Sequence, residues 1–192
     1  MNYDAIRIIQ GELDSGEQYI WSGIPKQGIF FRASDIFMIP FSLLWGGFAI
    51  FWEIMALSIP AHEAGPVSII FPLFGIPFVI VGLHMIFGRF IYDSRMRSKT
   101  FYGLTDQRVI IVTELFRKKV KSLNLRTMSD VSLSEKSNKS GTITFGQENA
   151  LLSFLGAYSF TGMSGGSNVP KFEFIDNAKN VYNQIRDLQK RI

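Results

Sequence analysis

Between residues 36 and 92 the chain carries only three charged side chains, Glu53, Glu63 and Arg89, although 20 basic and 16 acidic residues are spread over its 192 positions. Two apolar runs fill this stretch. Ile36 to Ile59 is 24 residues long with one charge, and Val67 to Tyr92 is 26 residues long with one charge near its end. A helix crosses a hydrocarbon layer roughly 30 Å thick with about 20 apolar residues. A helix inside a soluble protein seldom stays apolar on every face for so long. The runs therefore predict two transmembrane helices, with a pair of wholly buried soluble helices as the competing reading. The link from residue 60 to residue 66 (PAHEAGP) is too short for a domain, and its Pro and Gly residues stop helices at both ends. The two spans are expected to form an antiparallel hairpin.

Basic residues set the orientation. The link has no Lys or Arg, whereas Lys26 and Arg32 precede the first span and Arg89, Arg95, Arg97 and Lys99 close or follow the second. Positive charge is retained on the cytoplasmic side, so both termini are expected in the cytoplasm of a cell with the protein in its inner membrane. Residues 1–35 lack the short apolar core of a cleavable leader, so the first span is expected to direct insertion. The resulting organisation is a cytoplasmic N-terminal segment at 1–35, spans at 36–59 and 67–92, an external loop at 60–66 and a cytoplasmic domain at 93–192.

That last domain carries the basic excess, 16 basic against 9 acidic residues, while residues 1–35 carry 3 against 5. Its pattern is mainly that of strands. Thr100–Leu104 and Arg108–Thr113 flank a Thr-Asp-Gln turn, Lys119–Leu125 follows a polar break, and apolar residues alternate at Val131/Leu133, Ile143/Phe145 and Phe172/Phe174. Alternation with one oily face suits an antiparallel sheet. Ala178, Val181, Ile185, Leu188 and Ile192 then form one helical stripe, with Asp176 as the expected N-cap. The fold class expected is a membrane helical hairpin joined to an α+β domain, a small antiparallel barrel or bent sheet capped by a C-terminal amphipathic helix.

At this point a resemblance becomes visible. Tyr102-Gly103-Leu104-Thr105-Asp106-Gln107-Arg108-Val109-Ile110-Ile111 resembles the Y-x-L-T-x-x-R opening of bacterial PH-like domains. Phe174-Ile175-Asp176 with Val181-Tyr182 and Ile185 resembles their end, and Trp21-Ser22-Gly23-x-Pro25 resembles a stretch found ahead of paired membrane helices in such proteins. The likeness runs from about residue 17 to the end. Residues 150–170 depart from it, mapping onto no strand of the family. It implies a seven-stranded barrel-like fold with a capping helix, and it carries no catalytic residues over, since fold does not fix function.

Four groups of residues stand out as sites. Arg117, Lys118, Lys119 and Lys121 form the densest basic cluster, expected at a hairpin tip, where it either binds anionic headgroups or is solvated surface. Ser42, Gly46 and Gly47 let helices approach closely. Glu53 is an intramembrane carboxylate, either functional or snorkelling toward the outer interface. His84 lies on the other half of the bilayer, too far from Glu53 to pair with it within one hairpin, and it lacks the co-ligands of a metal site.

The chain contains no Cys, and its two histidines, His62 and His84, both fall within 36–92. Thiolate metal sites and a Cys nucleophile are thereby excluded, and no nucleophile–base pair points to an enzyme. The Gly-rich stretch 161–167 lacks the Lys of a phosphate loop, and no nucleic-acid recognition motif accompanies the basic domain. No cofactor is expected. The expected function is a non-enzymatic membrane adaptor or scaffold whose PH-like domain binds a protein partner or membrane lipids. The alternative is a subunit of a homo-oligomeric channel or transporter.

Overall fold

The structure is a computed structural model that describes residues 3–31, 35–60, 65–128, 130–147 and 169–191. The candidate site residues fall within these ranges, whereas the expected external loop, the departing segment 150–170 and the Gly-rich stretch 161–167 lie largely or wholly outside them.

Two compact units make up the chain. One contains Ile29–Asp93; the other joins Met1–Gly28 to the strands and helix that follow Ser94.

The first unit is a helical hairpin. Helix α2, Asp35–Leu57, is followed by α3, Val67–Leu83, a π-helical turn at His84–Gly88, and α4, Arg89–Ser98, which continues the same helical run beyond the unit. Both runs are long and apolar enough to cross a membrane. Only 22% of the apolar window in the first and 17% in the second is buried within the chain. Leu44, Phe48, Ile69 and Phe74 are among many large apolar side chains left on the outside. Helices that served as a soluble core would be mostly buried; among the described residues these are mostly exposed.

The second unit is α+β. Helix α1, Tyr3–Gln10, and strand β1, Tyr19–Gly23, come from the N-terminal segment. Strands β2, Thr100–Thr105, β3, Arg108–Glu114, and β4, Lys118–Asn124, continue from β1 as a four-stranded antiparallel sheet in the order β1-β2-β3-β4. Strands β5, Val131–Glu135, β6, Gly141–Phe145, and β7, Lys171–Ile175, form a second antiparallel sheet. Helix α5, Ala178–Arg191, ends the described chain. The α+β class, the antiparallel sheets and the C-terminal helix agree with the sequence reading. Among the described residues the two sheets do not close into a barrel: no strand pairing joins them.

The core explains the layering. Tyr102, Leu104, Val109 and Ile111 project from the first sheet onto Ile143, Phe145 and Phe172 of the second, with Val181 and Ile185 of α5 over the same cluster. Alternate residues of the first sheet, Phe101, Ile110 and Val112, point the other way and are covered by Ala5 and Ile9 of α1. Both faces of the first sheet are thus buried. Gly103 is required under α1, because a Cβ there would come within 2.5 Å of Ile9. Phe174 breaks the simple alternation expected for β7. It has φ 52°, and the pairing of β7 with β6 shifts register between Gly141 and Ile143. Asp176, expected as an N-cap, sits two residues ahead of α5 and pairs with Lys26 at 2.8 Å.

Candidate functional site

The hairpin is built around a seam of small residues. Ser42, Gly46, Ala49 and Ala56 are the buried positions of α2 beyond its first residue, and Gly75 and Gly82 are those of α3. Spacings of three, four and seven keep them on one helical face. A Cβ on Gly82 would stand 2.9 Å from the Gly46 Cα, so the two backbones meet there. Ser42 donates its hydroxyl to the Ile39 carbonyl at 2.9 Å. Of the three packing residues read from sequence, Ser42 and Gly46 lie in the seam. Gly47 does not: it is exposed, with open space where a side chain would go.

Glu53 continues the same seam. Its carboxylate lies against Gly75, where any Cβ would overlap Oε2, and Oε2 is buried with no hydrogen-bond partner among the described residues. The side chain therefore faces the second helix and does not snorkel along the outside. His84 is exposed in the π-helical turn, its ring against Gly88, and lies about 13 Å further along the helix than Gly75 at 1.5 Å per residue. At the other end of the hairpin Arg89 pairs with Asp35 at 2.9 Å, both side chains largely buried.

The basic cluster is divided by the pleat of a strand. Arg117 is in the β3–β4 turn, while Lys118, Lys119 and Lys121 are on β4, an edge strand. Opposite residues of a pair share a face. Lys119 and Lys121, opposite Thr113 and Ile111, therefore share one face, and Lys118, opposite Glu114, is on the other. Lys118 is ion-paired with Glu12 from the segment after α1, which raises its pKa. Arg117, Lys119 and Lys121 remain as an exposed group. Arg97, one of the basic residues that follow the second span, is buried and donates to the Gly28 carbonyl. A second basic group escaped the sequence reading. Lys136 and Lys139, from the β5–β6 turn, and Lys179 of α5 line, together with Glu135, an open hollow of about 430 Å³ beside the start of α5.

The residues of the Y-x-L-T-x-x-R pattern turn out to hold the fold together. Leu104 is fully buried, and the Tyr102 hydroxyl accepts a hydrogen bond from the Glu173 amide at 3.1 Å. Thr105 Oγ1 accepts from the Gln107 and Arg108 amides at 3.2 and 2.9 Å, shaping the β2–β3 turn. Arg108 grips Glu17 with two bonds of 2.8 Å and also reaches the Glu12 carbonyl and Asp14 at 2.9 Å. Glu17 is buried and lies 2.6 Å from Thr105 Oγ1. The clasp fastens the N-terminal segment to β2 and β3.

The Arg108 hydrogen bond is the main reason that the Glu17 pKa falls from 4.5 to about 2; burial opposes the shift, and the Thr105 bond adds to it. The folded state therefore holds the carboxylate more strongly than the unfolded chain does. This stability is fully present above pH 4.5 and is lost as pH falls toward about 2. At about 1.4 kcal/mol per pKa unit it is on the order of 3 kcal/mol. Glu17→Gln should lower stability by about that much at pH 7 and flatten the acid limb of the unfolding profile, measured by chemical denaturation across pH.

Among the described residues no group of three His, Asp or Glu side chains could hold a metal ion. Comparison with protein-family models, curated proteins and solved structures finds no match to this chain.

Proposed function

We propose that this chain is a non-enzymatic membrane adaptor, in which a two-span hairpin fixes a PH-like domain at the cytoplasmic face of a bacterial inner membrane for anionic-lipid or protein binding. The observation that carries the reading is the composition of the second unit. Residues before the hairpin and residues after it fold into one body. If both helices cross a bilayer, the two flanking segments must emerge on the same side, which only an even number of crossings allows. The basic residues around the spans make that side the cytoplasm. The order of four strands, three strands and a final helix, together with the structural use of Tyr102, Leu104, Thr105 and Arg108, supports the PH-like assignment. Exposed Arg117, Lys119 and Lys121 favour an anionic lipid surface as the ligand, each nearby cation contributing about 1 kcal/mol.

The channel reading draws on Glu53, but that carboxylate is turned into the seam of its own hairpin. Mass spectrometry of the full chain released from mixed bilayers should find anionic lipids retained over neutral ones. Replacing Arg117, Lys119 and Lys121 by Ser should remove the preference. Equal retention of both lipid classes by the unaltered chain, or an ion flux that Glu53→Gln abolishes, would overturn the adaptor reading.

A further inference from the structure

Phe116 occupies the tip of the β3–β4 hairpin and is 84% exposed, the most exposed large apolar side chain among the described residues. A water-facing Phe gains nothing for the fold. Its surroundings are cationic: Arg117 follows it, and Lys119 and Lys121 extend along the exposed face of β4. Glu12 and Glu114 belong with Lys118, on the face opposite Lys119 and Lys121.

The tip also has a defined place in its unit. The Glu114 amide donates to the Lys99 carbonyl at 2.8 Å, and Thr100 is paired with Thr113. The hairpin tip therefore stands at the end of the sheet where the chain arrives from α4. Gly23 is paired with Tyr102, so β1 also ends at this end of the sheet. Lys99 itself comes only a few residues after Phe90, Ile91 and Tyr92, the last apolar residues of the second span. An apolar ring bordered by cations, at the end of the sheet where the chain arrives from α4, matches an anionic membrane surface in hydrophobicity and in charge.

We propose that the β3–β4 tip is a membrane wedge: the Phe116 ring enters the interfacial layer of the anionic leaflet, and Arg117, Lys119 and Lys121 pair with its phosphates. The wedge rests on the membrane-anchored reading above and adds the docked position of the domain.

The absence of native cysteine allows a single probe to be attached. Leu115→Cys, labelled with a polarity-sensitive fluorophore, leaves Phe116 intact; Thr127→Cys, in the β4–β5 turn, reports on the other end of the sheet. The full chain is reconstituted into vesicles of phosphatidylglycerol and phosphatidylcholine, or of phosphatidylcholine alone. In the anionic vesicles the probe at 115 should shift to the blue and be quenched by bromine in the acyl chains, and the probe at 127 should not. Phe116→Ser, or Ser at 117, 119 and 121, should return the probe at 115 to an aqueous spectrum. Alkaline extraction of the same samples separates the two claims. A chain extracted from the vesicles overturns the anchored reading itself. A chain that stays integral, with the probe at 115 as aqueous as that at 127, overturns the wedge alone.

Discussion

A fragment beginning at Ser94 should not fold. The second unit draws α1 and β1 from residues 1–28, and their loss damages three places together. Phe101, Ile110 and Val112 lose the cover of Ala5 and Ile9. Strand β2 becomes a bare edge, and Ile20 and Trp21 leave the main core. Arg108 is left without Glu17. Removing one partner of a buried ion pair costs about 3–5 kcal/mol, and each large apolar side chain uncovered costs about 1.5–3 kcal/mol. Together these losses are on the order of the whole 5–15 kcal/mol that holds a typical domain folded. The fragment should show no cooperative urea transition and no near-ultraviolet dichroism. Joining residues 1–28 to residue 94 by a short Gly-Ser linker should restore both. A cooperative transition in the fragment alone would show that α1 and β1 are dispensable.

The second large effect is expected in the hairpin. At Gly82 a Cβ would approach the Gly46 backbone, which has no rotamer to adjust, so Gly82→Leu must push the helices apart. At Gly46 the first obstacle is the end of the flexible Ile86 side chain, which can move, so Gly46→Ala should be milder. Gly47→Leu faces open space and serves as the control. Overpacking of this kind costs about 1–3 kcal/mol, and the larger figure is expected for Gly82→Leu because the contact is backbone to backbone. Thermal unfolding in detergent should rank the three variants in that order. Equal effects of Leu at 82 and 47 would contradict the seam.

Periodicity made most of this fold legible. The alternation at 100–113 and 131–145 and the stripe at 178–188 correspond to observed elements within a residue or two. The N-terminal helix was not legible, since Tyr3–Gln10 is only eight residues long and its cover of β2 and β3 depends on contacts about 100 positions away. Phe172 and Phe174 looked equivalent in sequence, but a register shift separates them. The site divides in the same way. Composition located the basic cluster, yet the loss of Lys118 to Glu12 is a tertiary event. Adjacent Gly46 and Gly47 differ only in their angle around α2, which depends on the register of the opposing helix. Arg108 carried part of the family-like pattern, and its partners Asp14 and Glu17 could not be named until the N-terminal segment was placed.

The claim on which the account depends is that both flanks of the hairpin lie together on the cytoplasmic side of a membrane. Single cysteines at Asp4, Ala61 and Ser137, labelled with a membrane-impermeant maleimide in intact cells and then in inside-out vesicles, test it directly. The account requires Ala61→Cys to react in intact cells, and Asp4→Cys and Ser137→Cys to react only in inside-out vesicles. Labelling of Asp4→Cys and Ser137→Cys from opposite sides would contradict both the shared domain and the hairpin.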